Sequence, residues 1–356
     1  MVIGSTEDWP AFGLVSDLRP ALAEALRAGE PAVMATLYGA EGATPLGLGA
    51  QMLFAGEARA GFLSGGCVEG DVALNAEAVL ADGRPRRLVY GRGGPPDIRL
   101  LCGSRIELLA ERIDPSDPAA RRLLALAAAR RPALWLSDGE HRACLAEGET
   151  AAGLPGTLRA AFAEALREPA PAGAAGGAVF RRFDPRGRLA VIGGDPIALA
   201  IARLAVDTGL ETVLIRPKGP AAPPPAAVDA YLRGDPGEAL AGLPLDPWTA
   251  VAVASHDLEI DHAALMAALP SPALYVGVLG SKRRIPERLG RLKADGLSEA
   301  ELLRLKAPMG LDIGARAPWE IGVSVLGEVI AAFRARDSRR TWAAAPASPE
   351  ALRAGA

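Results

Sequence analysis

The stretch RLAVIGGDPIALAIARLA, residues 188–205, passes from a short apolar segment through two glycines into apolar residues recurring at helical spacing. A strand, a tight turn and a helix in that order begin a parallel α/β sheet. The pattern then repeats. ETVLIRP (211–217), AVAVASHD (250–257) and ALYVGVLGS (273–281) are short apolar runs separated by helical segments and a Pro-rich loop. Strands alternating with helices predict a Rossmann-like, doubly wound parallel sheet over residues 184–336.

A pyrophosphate-binding turn needs a second glycine two residues after the first, because the phosphates approach the backbone where a Cβ has no room. Here Gly193 is followed by Gly194 and then Asp195, an acid that repels a pyrophosphate. About twenty residues on, where an acid would accept the ribose hydroxyls of NAD, stands Arg216. It is either a phosphate contact or a solvated loop cation. An oxidoreductase using NAD(P) or FAD in this domain is therefore the alternative reading, weakened at two positions.

Open parallel sheets bind ligands beyond the carboxyl ends of their strands. Ser255, His256 and Asp257 follow one such strand, and Ser281, Lys282, Arg283 and Arg284 follow another, so both clusters are expected at that crevice. His256 reads equally as a turn residue or a ligand contact. Cations in the first turn of a helix oppose its dipole, which favours an anion-binding use of Lys282 and Arg283.

The N-terminal part is also α/β. A helix is predicted over 16–28, strands at AVMATLY (32–38), AQMLFAG (50–56) and ARAGFLSGG (58–66), and a helix in 67–83; further strands lie in 85–91 and 98–112. These form a domain over residues 1–113. Residues 114–183 read as a connecting segment of two helices and two strands, with PAPAGAAGG (169–177) as a linker loop, and 337–356 as a loose tail.

Among the 356 residues, 50% are hydrophobic and 23% charged, the balance of a globular protein, and the net charge is −3. No Lys/Arg run is interleaved with aromatics, so nucleic acid is excluded as an expected partner. The longest uncharged run, 263–281, is broken by Pro270 and Pro272 and predicts no membrane span. The N-terminus carries acids where a secretory signal has basic residues, so a cytoplasmic location is expected. Three histidines and three widely spaced cysteines predict neither a protein-built zinc site nor disulfides.

LSGGCVEGD, residues 63–71, sets Cys67 behind Gly65 and Gly66 and at the start of a helix. The glycines allow close approach of a ligand, and helix-terminal N–H groups lower a thiol's pKa and raise its metal affinity. Glu69, in the same first turn, pulls the other way. Cys67 is thus a buried filler, a nucleophile or a metal ligand. Cys102, beside Gly103, is a candidate to work with it, whereas Cys144 lies inside an apolar strand and reads as core.

Four ordered stretches resemble the XdhC/CoxI (CoxF-like) family of accessory proteins for molybdenum hydroxylases. They are SGGCVEGDV (64–72), LCGSRIELLAER (101–112), LYVGVLGSKRR (274–284) and PMGLDIGARAPWEIGVSVLGEVIAA (308–332). The resemblance implies a cysteine-bearing N-terminal domain, a Rossmann-like C-terminal domain, and a maturation role rather than turnover. It implies binding of the molybdenum cofactor, as molybdopterin or its cytosine dinucleotide. It also implies support of that cofactor's sulfuration with a partner cysteine desulfurase, and delivery to an apo-hydroxylase such as xanthine or carbon monoxide dehydrogenase, the chain acting as a homodimer. Cys67 matches the family's GGCVE motif, Cys102 its CGG motif, and Asp312, Gly314 and Arg316 its GLDIGAR motif. The sequence departs from the pattern at Ser104, at Ala43 and Leu46, and at GGDP (193–196), where the family has GAGH. A scaffold that only docks desulfurase and client is a third reading.

Overall fold

A computed structural model of the chain describes residues 9–44, 46–98, 100, 103–337 and 342. It comprises two compact units, residues 1–185 with 339–356, and residues 186–338.

In the first unit, helix α1 (Arg19–Ala28) leads into strands β1 (Ala32–Glu41), β2 (Gln51–Ala55) and β3 (Ala58–Gly61). Helix α2 (Glu69–Asp82) and strands β4 (Arg86–Gly91) and β5 (Arg105–Ile113) follow. The five strands form an antiparallel sheet in the order β3-β2-β1-β5-β4. Gly83 ends α2 with φ 71°, the left-handed C-terminal signature its position suggests. Helix α3 (Pro118–Ala128), strands β6 (Ala133–Ser137) and β7 (Arg142–Ala146), helix α4 (Gly156–Arg167) and strands β8 (Ala172–Ala175) and β9 (Ala178–Phe183) build a second sheet, ordered β7-β6-β9-β8.

The segment expected as a linker loop differs from that expectation. Ala172–Ala175 pairs with Ala178–Phe183 across Gly176 and Gly177, whose φ values of 58° and 85° suit a tight two-residue hairpin. Alanine is a poor strand former in isolation, and here tertiary pairing overrides that preference. Both sheets belong to one unit and share a core in which Met34, Leu53, Trp135, Cys144 and Phe183 pack with Leu22 and Leu123. Of the residues expected as a tail, Trp342 is buried against Leu134, Leu158 and Phe180; the others from 338 onward lie outside the described residues.

The second unit contains β10 (Arg188–Ile192), α5 (Pro196–Asp207), β11 (Glu211–Ile215), β12 (Ala230–Leu232) and α6 (Pro236–Ala241). It continues through β13 (Thr249–Val253), α7 (Leu258–Ala268), β14 (Tyr275–Val278), α8 (Ile285–Ala294), α9 (Glu299–Leu302), β15 (Leu305–Lys306) and α10 (Pro318–Asp337). All six strands are parallel, in the order β12-β11-β10-β13-β14-β15. Alternate residues of each strand enter opposite cores. Ala190, Ile192, Val251 and Val253 pack with α6, α7 and α8 residues, while Leu189, Val191, Ala250 and Ala252 pack with α5 and α10 residues. Burial on both faces explains why these strands read as unbroken apolar runs. Among the described residues no helix is long and apolar enough to cross a membrane.

The chain winds outward from β10 to β12 and returns beside β10 as β13, so the switch point lies between β10 and β13. There Gly193 has φ 150°, and a Cβ on it would lie 2.4 Å from the carbonyl oxygen of Ala254. Only glycine lets the two strand ends close. Gly193→Ala is expected to destabilise this unit by about 2 kcal/mol or more, measured by denaturant unfolding; an unchanged midpoint would contradict the close approach.

Candidate functional site

In the first unit, Leu63–Val68 is a loop with Gly65 at φ 96° and Gly66 at φ 98°, values that favour glycine. Glu69 opens α2, is only 7% exposed, and turns its carboxylate back onto this loop. It accepts hydrogen bonds from Leu63 N (3.0 Å), Ser64 N (2.7 Å), Ser64 Oγ (2.7 Å) and Val68 N (3.2 Å). Burial pushes the Glu69 pKa up, but the Ser64 hydroxyl and the backbone donors of Ser64 and Leu63 together outweigh it, and the net shift is downward. Glu69 thus positions the loop rather than standing open to a ligand.

Cys67 is exposed on this loop, whereas Cys144 is buried in β7. Burial pushes the Cys144 thiol up to about 12, as expected of an inert core cysteine. Among the described residues, none accepts a hydrogen bond from the N–H of Gly65, Gly66 or Cys67. Among the described residues the loop thus presents one thiol beside backbone donors that have no acceptor. Cys102 lies outside the described residues; its neighbour Ser104 is buried. One helical turn on from Cys67, Asp71 accepts from Tyr90 Oη (2.5 Å) and Asn75 Nδ2 (3.0 Å), tying α2 to β4.

The second unit assembles its cluster at the carboxyl edge of the sheet. Asp195 caps α5, accepting from Ala198 N at 2.8 Å through Oδ1, while its Oδ2 lies 2.9 Å from Nε2 of His256. His256 has φ 61°, an uncommon conformation for a non-glycine residue and a mark of functional sites. The Arg216 side chain lies against Gly194, where a Cβ would fall 2.3 Å from its Nε. Ser255, next to His256, donates to Asp261 Oδ1 (2.5 Å), and Arg288 holds Asp261 Oδ2 (2.6 Å). Burial raises the Asp261 pKa against the opposing pull of Ser255 and Arg288. This buried pair anchors the Ser255–Asp257 loop to α8.

Asp257 caps α7, accepting from Glu259 N and Ile260 N, and Ser281 caps the Lys282–Arg284 turn. Both are therefore occupied by their own backbone. Among the described residues, no carboxylate forms an ion pair with Arg216, Lys282, Arg283 or Arg284. Asp312 and Arg316 are exposed on the loop between β15 and α10, which leaves the same carboxyl edge of the sheet. That loop is pinned by Glu328, which accepts from Tyr275 Oη (2.6 Å) and Gly310 N (2.7 Å). No hydrogen bond or ion pair joins them to Asp195, His256 or Arg216 among the described residues.

The capping role of Asp195, the Asp261–Arg288 pair and Glu328 stand outside what the sequence singles out. Asp-Pro before an apolar helical run is a capping signature, so the first is readable in principle. The other two depend on long-range contacts.

Because folding lowers the Glu69 pKa, its carboxylate stabilises the fold above the ordinary glutamate pKa of about 4.3. That contribution is lost as pH falls through the lowered folded value. Glu69→Gln is expected to cost about 1–3 kcal/mol at neutral pH, with the deficit closing below about pH 4. Urea unfolding across pH measures it; a pH-independent deficit would contradict the assignment.

The chain matches the XdhC Rossmann domain over residues 189–329 and the XdhC and CoxI family over residues 25–91. It is 32% identical over 308 residues to the molybdenum cofactor insertion chaperone PaoD of Escherichia coli (strain K12), covering 86% of this chain and 85% of the relative. It is 27% identical over 324 residues to a probable xanthine dehydrogenase subunit of Bacillus subtilis (strain 168), covering 85% of this chain and 93% of that relative. A crystal structure from Bacillus halodurans, described as a xanthine dehydrogenase, shares the fold with a TM-score of 0.71 at 24% identity, covering 94% of this chain and 98% of that one. With both halves of the architecture matched in order and a full-length relative above 30% identity, this chain belongs to the XdhC and CoxI family.

Proposed function

We propose that the chain holds the molybdenum cofactor and hands it to an apo molybdenum hydroxylase, with the Cys67 thiol as the cargo's first protein contact. The observation carrying this reading is the exposed Cys67 on a loop with unspent donors, in a chain that aligns along most of its length with PaoD, a molybdenum cofactor insertion chaperone.

The donor set fits such a cargo. Among the described residues, no three His, Cys, Asp or Glu side chains gather to hold a metal ion. A pterin-bound metal brings sulfur ligands with it and needs few from the protein, and a soft thiolate suits it. Cys67 serves either as a ligand to the metal or as the carrier of a sulfur atom supplied by a cysteine desulfurase. Gly66 leaves the space beside it open: a Cβ there would meet no atom within 4 Å. Glu69 keeps the loop in this shape. In the second unit, considered by itself, Arg216, Lys282 and Arg283 are cations suited to a phosphate. Homodimerisation and Cys102 assistance belong to the same proposal. The oxidoreductase alternative has less support, since the Asp195 carboxylate caps the helix that would receive a dinucleotide.

The full chain, purified from a molybdenum-replete host and assayed for molybdenum and oxidised pterin, is expected to carry both. Cys67→Ser is expected to lower cofactor affinity about tenfold or more, a loss of about 1.4 kcal/mol. Equal affinity in the variant would refute the Cys67 assignment, and a parent that binds no supplied cofactor would refute the cargo reading.

A further inference from the structure

We infer that the switch-point crevice of the parallel-sheet unit carries its own anion, the Asp195 carboxylate, in the seat a pyrophosphate takes in dinucleotide-binding sheets. With Arg216 beside it, the crevice is thereby set to accept a single phosphomonoester-class oxyanion and to reject a diphosphate bridge.

A pyrophosphate at such a turn is held by the first N–H groups of the following helix and by its dipole. In this chain the Asp195 Oδ1 already takes the Ala198 N–H, at 2.8 Å, and places a negative charge on the α5 N-terminus. The same carboxylate is fixed from its other side by His256 Nε2 at 2.9 Å. His256 adopts φ 61° to reach it, and its neighbour Ser255 is held by the buried Asp261–Arg288 pair. The carboxylate thus contacts two elements, α5 and the loop after β13. An incoming diphosphate would set two further charges against it, with the Ala198 N–H already taken.

The positive charge of the crevice lies to one side. Arg216, at the end of β11, rests on Gly194 with no acid paired to it among the described residues. Across β13, Lys282 and Arg283 follow β14 and are likewise unpaired among the described residues. A guanidinium can bind one phosphate through two parallel hydrogen bonds, and a monoester's charge is met there at a single locus. Asp195 is thus a specificity determinant, and Arg216 the ligand contact.

The inference concerns the parallel-sheet unit alone and does not rest on the proposed cargo role. The anion preference stands on the geometry. The full chain is titrated with inorganic phosphate, inorganic pyrophosphate and NAD⁺, read by calorimetry and thermal shift. The parent is expected to bind phosphate and to bind pyrophosphate and NAD⁺ more weakly. Arg216→Gln is expected to lose phosphate binding about tenfold or more. Asp195→Asn, which keeps a capping side chain and removes the charge, is expected to gain pyrophosphate affinity about tenfold. Asp195→Gly is expected to gain it further.

A parent that binds no phosphate, or binds pyrophosphate as tightly as phosphate, overturns the inference. So does an Asp195→Asn variant with an unchanged preference, or an Arg216→Gln variant with unchanged phosphate affinity. A chain that loads pterin but has no such preference overturns this inference alone, and one with the preference that never loads pterin overturns the cargo reading alone.

Discussion

A carboxylate folded back onto the loop before its own helix decides where the exposed thiol sits. Glu69 gathers the N–H groups of Leu63, Ser64 and Val68 and the Ser64 hydroxyl, and that closure leaves Gly65, Gly66 and Cys67 on the outside. Hydrogen bonds to a carboxylate are stronger than neutral ones, so four of them define one loop shape. The second unit uses the same device. Asp195 closes the glycine turn before α5 with a bond to Ala198 N, and reaches His256 with its second oxygen. In the first unit the acid closes the loop that precedes the helix; in the second it caps the helix start itself. The consequence differs: the first closure displays a thiol, the second leaves an arginine as the accessible charge.

The architecture is legible in the sequence wherever burial on defined faces writes a pattern. β10, β11, β13 and β14 are covered on both sides and read as apolar runs, and α2 closes at Gly83 as its sequence indicates. β12 and β15, of three and two residues, are too short to carry a period and emerge only in the structure. The β8–β9 hairpin reads as a linker because Ala, Gly and Pro mark loops locally, while its pairing is a tertiary effect. Site residues follow the same division. Cys67 and the GGDP turn stand out from their neighbours. Yet Asp195 reads by pattern as a defect in a nucleotide site, whereas the structure gives it two partners. Asp261, Arg288 and Glu328 act through contacts 27 residues (Asp261 to Arg288) and 53 residues (Tyr275 to Glu328) apart in the chain, which no local pattern encodes.

Membership of the XdhC and CoxI family and the similarity to a molybdenum cofactor insertion chaperone point the same way, toward handling of a cofactor. One glycine turn carries the exposed Cys67 thiol; the other carries an acid that caps its own helix. The departure from the GAGH turn leaves the sheet intact, because Gly193 still permits the close contact with Ala254 that the fold needs.

The central claim is that the cargo covers the Cys67 thiol. Peptide-resolved alkylation of the full chain, with and without saturating molybdenum cofactor, tests it directly. Bound cofactor is predicted to slow Cys67 alkylation about tenfold or more, with buried Cys144 unreactive in both states; a Cys67 rate unaffected by the cofactor would contradict the account.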